Sequence, residues 1–212
     1  MSKKLIYGVG LNDSDYVVKI QDSYHIDGKR KRRTVWRCPY YTRWEKMLSR
    51  CYSDKPSCSS ESYSECYVCD EWLVFSNFKD WMIKQEDLHG DLRDLQLDKD
   101  IISRGNKIYC PEKCAFVPAN VNGFVLDRKG ARGKHLIGVY WNKRESKFYS
   151  KCVDPFTHKS VFLGLYESEE EGHLRWLACK HKFACDLAGS GIIKDSRVVE
   201  ALKNRYRYGY EE

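Results

Sequence analysis

The sequence predicts an α+β protein, and three observations carry that prediction. Three short strand-like runs, Leu136–Trp141, Lys147–Val153 and Ser160–Tyr166, follow one another at turn-length separations and lead into one long helical pattern. Upstream, Tyr41–Tyr52 and Trp72–Ile83 repeat their apolar residues at helical rather than alternating spacing. Between them and the strands, Leu95–Pro118 is dense in turn residues, with Gly105-Asn106 and Pro111 the clearest.

Each element has a local reason. In the first helix Trp44, Met47, Leu48 and Cys51 share a face, with Thr42 as the expected cap. Phe75, Phe78, Trp81 and Met82 share a face of the second. Residues 53–64 are polar and Ser-rich, hence a loop, and the basic, Gly-containing stretch 128–134 reads as a linker. Residues 142–146 and 154–158 are the turns between the three strands. Ser168 with Glu171 makes a capping box for a helix reaching about Ala188, ended by Gly189 and Gly191. A last helix runs from Asp195 to about Arg205. Near the N-terminus Tyr16–Ile20 is strand-like and Asp27-Gly28 is a turn ahead of a basic run. The expected segments are 1–35, 36–127, the linker 128–134, 135–190 and 191–212, with no internal repeat.

Composition narrows the function. Of 212 residues 42% are hydrophobic and 14% aromatic, which excludes a disordered chain. No run approaches the roughly 20 apolar residues of a membrane helix, and the basic N-terminus lacks the apolar core of a signal peptide. A soluble, cytoplasmic protein is expected. The net charge of +7 is clustered: Lys29–Arg33 is an unbroken cationic run, 128–134 carries four cations among glycine and alanine, and Lys203, Arg205 and Arg207 alternate with other residues near the end. Cations grouped among aromatics suit a polyanion, because each one placed on a phosphate releases about one counterion. Arg30, Arg32 and Arg33 are therefore candidate DNA contacts. A solvated surface is the plain alternative for any single run.

The middle strand divides into two faces. Phe148, Ser150 and Cys152 fall on one, Lys147, Tyr149, Lys151 and Val153 on the other. The second is basic and aromatic and lacks acids, as a sheet laid into a DNA major groove requires. Gly138-Val139, Lys147-Phe148, Val161–Tyr166 and Ser168–Glu171 stand in the order and spacing of the ethylene-response-factor (APETALA) DNA-binding domain, which residues 135–188 resemble. The resemblance implies a three-stranded antiparallel sheet packed on one helix, with base and phosphate contacts at Tyr140, Asn142, Arg144, Lys151, Val153, Ser160 and Phe162. Most of the family's arginines are replaced, and Gly172 stands where it has alanine. Trp176, Cys179 and Phe183 are expected on the helix face that packs on the sheet.

Trp44–Tyr52, Val68–Trp72 with Phe75 and Phe78, Leu97–Ile101, Gly105–Lys107, and Tyr109–Pro118 with Asn122 are laid out as in HNH-like proteins of phages and their hosts, some of them homing endonucleases. In those proteins such a module precedes an ethylene-response-factor-type domain, and the resemblance spans about residues 40–205. It implies an HNH-like ββα module in a phage-encoded protein acting in a bacterial host. An HNH enzyme uses one histidine to activate water, while a neighbouring Asp or His and a His or Asn hold a divalent metal on the scissile phosphate. The Asp/His–His pair falls on Asp98-Lys99, and the usual asparagine falls on Lys113. A lysine is a poor base at neutral pH unless burial lowers its pKa by several units. Asp98, Lys99 and Asn106 remain the catalytic candidates, Asp98 and Asp100 the candidate ligands for Mg or Mn, and His25, His89 or His135 a base from elsewhere. The plain alternative pairs the two carboxylates with Lys99, Arg104 or Lys107. In a further reading Lys99, Lys107 and Lys113 hold phosphates as a second DNA clamp.

Nothing directs secretion, so the ten cysteines are expected as reduced thiols. The close pairs Cys66/Cys69 and Cys110/Cys114 have spacers that can close a tetrahedral structural zinc site, with buried unliganded cysteine as the alternative. Together these features predict a double-stranded DNA-binding protein related to HNH homing endonucleases. An active metal-dependent endonuclease is one alternative. A protein-interaction or counter-defence factor, using tail aromatics such as Tyr206, Tyr208 and Tyr210, is another, with those tyrosines as a terminal strand packed on the body their plain alternative. No heptad signals a dimer, so a monomer on an extended site is expected.

Overall fold

The computed structural model describes residues 4–54, 63, 65–126 and 134–207, and within them the protein is mixed α+β, with five α-helices and four small sheets. Most of the loop expected at 53–64 and of the linker expected at 128–134 lies outside the described residues, as do Cys58, Tyr208 and Tyr210. The chain clusters into two compact units, residues 1–90 with 105–114 and residues 91–104 with 115–212. Residues 91–104 and 115–126, read from the sequence as central module, thus cluster with the C-terminal strands.

In the first unit β1 (Lys19–Ile26) and β2 (Lys29–Arg37) form an antiparallel ribbon. Asp27 and Gly28 close it with positive φ of 53° and 72°, the pattern of a type I′ hairpin turn. The strand expected at Tyr16–Ile20 therefore begins three residues later, and the basic run is its partner. α1 (Pro39–Tyr52) starts at Pro39, whose missing N–H costs nothing in a first turn. Thr42 lies inside the helix, its hydroxyl donating to the Cys38 carbonyl at 2.9 Å, rather than capping it.

The second expected helix is two elements, a 3-10 turn over Asp70–Leu73 and α2 (Phe75–His89), separated by extended Val74. Leu11 explains the break: its N–H donates to the Leu73 carbonyl at 2.8 Å and its carbonyl accepts from Phe75 N–H at 3.0 Å. The core here is aromatic, with Trp72 centred 5.0 Å from Phe78 and 4.5 Å from Trp81. The Trp44 indole N–H donates to the Trp72 carbonyl at 2.7 Å. β3 (Tyr67–Val68) runs parallel to β5 (Ile108–Tyr109).

In the second unit β4 (Leu95–Asp98) pairs antiparallel with β6 (Ala115–Pro118), and α3 (Ala119–Val125) follows directly. β7 (Val139–Asn142), β8 (Lys147–Val153) and β9 (Ser160–Tyr166) make an antiparallel sheet in that order. The last two match the sequence reading. β7 begins later than expected, because Gly138 bends the chain at φ +82°. α4 (Glu169–Gly189) is capped by Ser168, whose Oγ accepts from Glu171 N–H at 3.2 Å, and α5 (Ser196–Arg205) is capped by Asp195.

α4 serves two cores. Gly172 and Trp176 are buried in its first half, where Trp176 lies against Gly138 so closely that a Cβ there would stand 2.0 Å from the indole. In its second half Ala184, Leu187 and Ala188 join Val117, Val121, Phe124, Val198 and Leu202. Twenty-one residues at about 1.5 Å each allow this span. Between the halves, the Lys180 ammonium donates to the Phe124 carbonyl at 2.5 Å and lies 3.5, 5.7 and 5.4 Å from the Phe124, Trp176 and Tyr206 ring centres. Of the two readings for Tyr206, a free tail aromatic or one packed on the body, the second fits its contacts with Phe124 and Trp176, although it follows a helix and not a strand.

Candidate nucleic-acid interface

The faces of β8 sort as alternation demands. Ser150 and Cys152 are fully buried, while Tyr149, Lys151 and Val153 point the other way. Register then assembles a row on the open face: Tyr140 opposite Tyr149, Tyr149 opposite Leu165, and Lys151 opposite Phe162. The Tyr140 and Tyr149 rings stack with centroids 5.2 Å apart at 24°, and Tyr149 continues to Phe162 at 6.5 Å and 28°. Lys151 Nζ lies 4.5 Å from the Tyr140 centroid and 5.9 Å from that of Tyr149, within cation–π range. Phe162 is 64% exposed, so burial in the core does not explain it. A bulge between Ser150 and Lys151 adds local twist where the cation meets the rings.

Other expected contacts differ from the simple picture. Asn142 Oδ1 accepts from the N–H groups of Arg144 (3.0 Å) and Glu145 (3.4 Å), so this side chain closes the β7–β8 turn. Arg144 is exposed at the tip. The face was expected to lack acids, yet Glu167, just beyond β9, holds Lys147 at 2.5 Å and raises its pKa. Lys151 is left as the central cation of the sheet.

Asp98 sits at the end of β4. Its Oδ1 accepts from the N–H groups of Asp100 (2.8 Å) and Ile101 (2.6 Å), fixing the turn that follows. Burial and the neighbouring Asp100 carboxylate raise its pKa against those hydrogen bonds. Lys99 is buried at 7% exposure and pairs with Asp100 at 3.1 Å. Of the lysines read as phosphate-holding, Lys99 is thus tied to a carboxylate rather than exposed. Asn122 on α3 donates to Gln96 at 2.7 Å, and among the described residues its buried Oδ1 has no hydrogen-bond partner. His135, considered as an outside base, pairs with Glu169 at 3.2 Å.

Asn106 and Lys113 belong to the first unit. The Asn106 amide closes a turn on the Ile108 carbonyl at 2.7 Å, and Lys113 is exposed. Cys66, Cys110 and Cys114 are buried and Cys69 is half-buried, with burial lifting the Cys69 and Cys110 thiols above their ordinary pKa. Among the described residues no three His, Cys, Asp or Glu side chains converge as a metal-holding group. Nor is any helix among those residues long and apolar enough to cross a membrane.

Sequence reasoning missed the β1–β2 ribbon, in which every residue from Ile20 to Trp36 is exposed. Asp27-Gly28 was the available signal, since Asp-Gly between two extended runs is a strong hairpin mark. Five consecutive cations disguised the second strand, because lysine is depleted in strands that pack. Compared with family models, curated proteins and solved structures, the chain matches none.

Proposed function

We propose that the protein binds double-stranded DNA through the open face of the β7–β8–β9 sheet, on a scaffold related to HNH homing endonucleases. The observation that carries the reading is the stacked row Tyr140–Tyr149–Phe162 with the Lys151 ammonium over its rings. Rings in such a row offer apolar surface to thymine methyls, and the cation offers a donor to guanine or phosphate. The sheet is backed by α4, so this face is rigid before a partner arrives.

The test is fluorescence anisotropy with duplex DNA from about 50 to 200 mM salt, the range over which phosphate-dominated binding falls steeply. Lys151→Ala/Phe162→Ala is expected to lose at least tenfold in affinity. Unchanged affinity removes the sheet from the interface, and a preference for single-stranded DNA replaces groove docking by base stacking on the rings.

The order β4, β6, α3 supports a second reading, a metal-dependent endonuclease of the HNH ββα type. Asp98 would hold Mg or Mn, and Asn122 with its unpartnered Oδ1 would be the helix contribution. Against it, the residue in the histidine position is Lys99, buried and paired with Asp100. Incubation with supercoiled plasmid in Mg²⁺ or Mn²⁺ separates the two. Nicking that disappears in Asp98→Ala establishes the nuclease, whereas intact but gel-shifted DNA leaves a binding protein.

A further inference from the structure

The β1–β2 ribbon has two faces of different chemistry. Direct partners across an antiparallel pair share a face, so His25 lies with Arg30, Ser23 with Arg32 and Gln21 with Thr34. Those three pairs carry no acid and no large apolar side chain. The reverse face pairs Ile26 with Lys29, Tyr24 with Lys31 and Asp22 with Arg33. Arg33 lies 3.6 Å from Asp22. Among the described residues no carboxylate lies within ion-pair distance of Lys29, Lys31 or Arg32. The ribbon is exposed on both sides, which a two-stranded sheet does not sustain on its own energetics.

We infer that this ribbon is a second DNA-reading element, entering the major groove with Gln21, Ser23, His25, Arg30, Arg32 and Thr34 toward the base edges. The inference rests on the DNA-binding reading above but assigns a separate surface to it. The B-form major groove, about 12 Å wide, admits a two-stranded ribbon. Arg30 and Arg32, two residues apart on one strand, point the same way and have the forked geometry that matches O6 and N7 of guanine; Gln21 matches adenine in the same manner. Within these three pairs and among the described residues, the one side-chain tie is Arg30 to Ser23 Oγ at 3.2 Å, an exposed hydrogen bond that a base acceptor can replace.

Opposite orientation is disfavoured because it would put the Asp22 carboxylate and the Ile26 side chain on the groove floor. With the polar face inward, the long stems of Lys29 and Lys31 reach back to the phosphates of the groove wall along β2. Duplex RNA is a poorer fit, since its major groove is deep and narrow.

The test uses the full chain and a randomised duplex library. Bound sequences are selected with the wild type, Arg30→Ala/Arg32→Ala, Lys29→Ala/Lys31→Ala and Lys151→Ala. These ribbon positions are exposed, so thermal unfolding is expected to be unchanged, and that is checked first. The Arg pair variant is expected to lose base preference over a short contiguous block and to bind the selected site about ten- to a hundredfold more weakly. The Lys pair variant is expected to weaken selected and random duplex alike and to lower the salt slope by about 2.

An identical selected motif from the Arg pair variant overturns base reading by the ribbon, as does equal weakening of selected and random duplex. Equal affinity for an RNA duplex of the same sequence overturns groove entry. If the wild type binds no duplex at all, the underlying DNA-binding reading fails instead. If Lys151→Ala abolishes binding while both ribbon variants are silent, the sheet reading stands and the ribbon inference alone falls.

Discussion

Two exposed β-surfaces, the β7–β8–β9 sheet and the β1–β2 ribbon, are built on opposite principles. The sheet buries one face, so Ser150, Cys152 and Val139 are enclosed and its open side chains are held in register by what lies beneath them. The ribbon buries neither, and its side chains rest on backbone pairing, the Asp27-Gly28 turn and a few exposed ties such as Arg30 to Ser23 and Arg33 to Asp22. A surface of the first kind is preorganised and loses little entropy on binding. One of the second kind must be ordered by its partner, at a cost of up to about 1.5 kcal/mol for each rotamer-rich side chain immobilised. Arginine-rich composition on the ribbon and aromatic composition on the sheet follow the same division. Rings need a backing surface to hold them in place, whereas cations are stable fully solvated.

The largest expected effect breaks this comparison at its support. Trp176→Ala removes a buried indole from beneath the sheet and is expected to lower stability by about 4 kcal/mol. Tyr24→Ala, an aromatic lost from the ribbon, is expected to change stability by less than about 0.5 kcal/mol. Chemical denaturation of both variants decides the matter. Comparable losses would mean that the ribbon, too, is packed.

Lys180 supplies the next effect, through pH. Burial among the Phe124, Trp176 and Tyr206 rings pushes its pKa down to about 8. The folded protein therefore releases this proton near pH 8 while the unfolded chain keeps it to about 10.4. Over that window the unfolded state binds more protons, so stability rises with pH, by about 3 kcal/mol. Cys152 acts in the opposite sense: pushed up to about 12 by burial, its thiol stays protonated in the fold after the unfolded thiol has ionised near pH 9. The Lys180 contribution is thus read as the difference between wild type and Lys180→Met across pH 7.5–10.5. A difference that does not vary with pH would place the ammonium in water.

Much of this was legible in the sequence, and the failures have physical causes. β8, β9, α4 and α5 were read almost to the residue, because alternation, the Ser168/Glu171 cap and the Asp195 cap are local signals. The open-face membership of Tyr149 and Lys151 followed from the same alternation. What sequence could not supply is pairing. The stacked row depends on the register that sets Tyr140 beside Tyr149, and the β8–β9 register brings Glu167 to Lys147. The interleaving of the two units is hidden from sequence for a similar reason. β4 and β6 lie on either side of a stretch belonging to the other unit, and only tertiary packing separates such pieces. For Lys99 the sequence offered both a phosphate contact and a pairing with the neighbouring carboxylates, and only the folded chain shows it buried 3.1 Å from Asp100.

The smallest expected effect tests how tightly α4 and the sheet fit. Gly172 lies inside α4 at the position where the resembled domain has alanine. A Cβ there would meet Val139 Cγ1, Val139 Cγ2 and Tyr166 Cδ2 at 3.4 Å, ordinary van der Waals contact. Gly172→Ala should therefore gain the helix-propensity difference of about 0.5–1 kcal/mol, seen as a small rise in Tm with duplex affinity unchanged. Gly138→Ala should do the reverse, because its added methyl meets the Trp176 indole at 2.0 Å on a backbone already at φ +82°. If Gly172→Ala also destabilises, helix and sheet approach more closely than the sheet's own packing requires. Close approach rather than composition would then hold the aromatic row in place, and mutations on the buried side of β8 should weaken DNA binding as much as those on its open face.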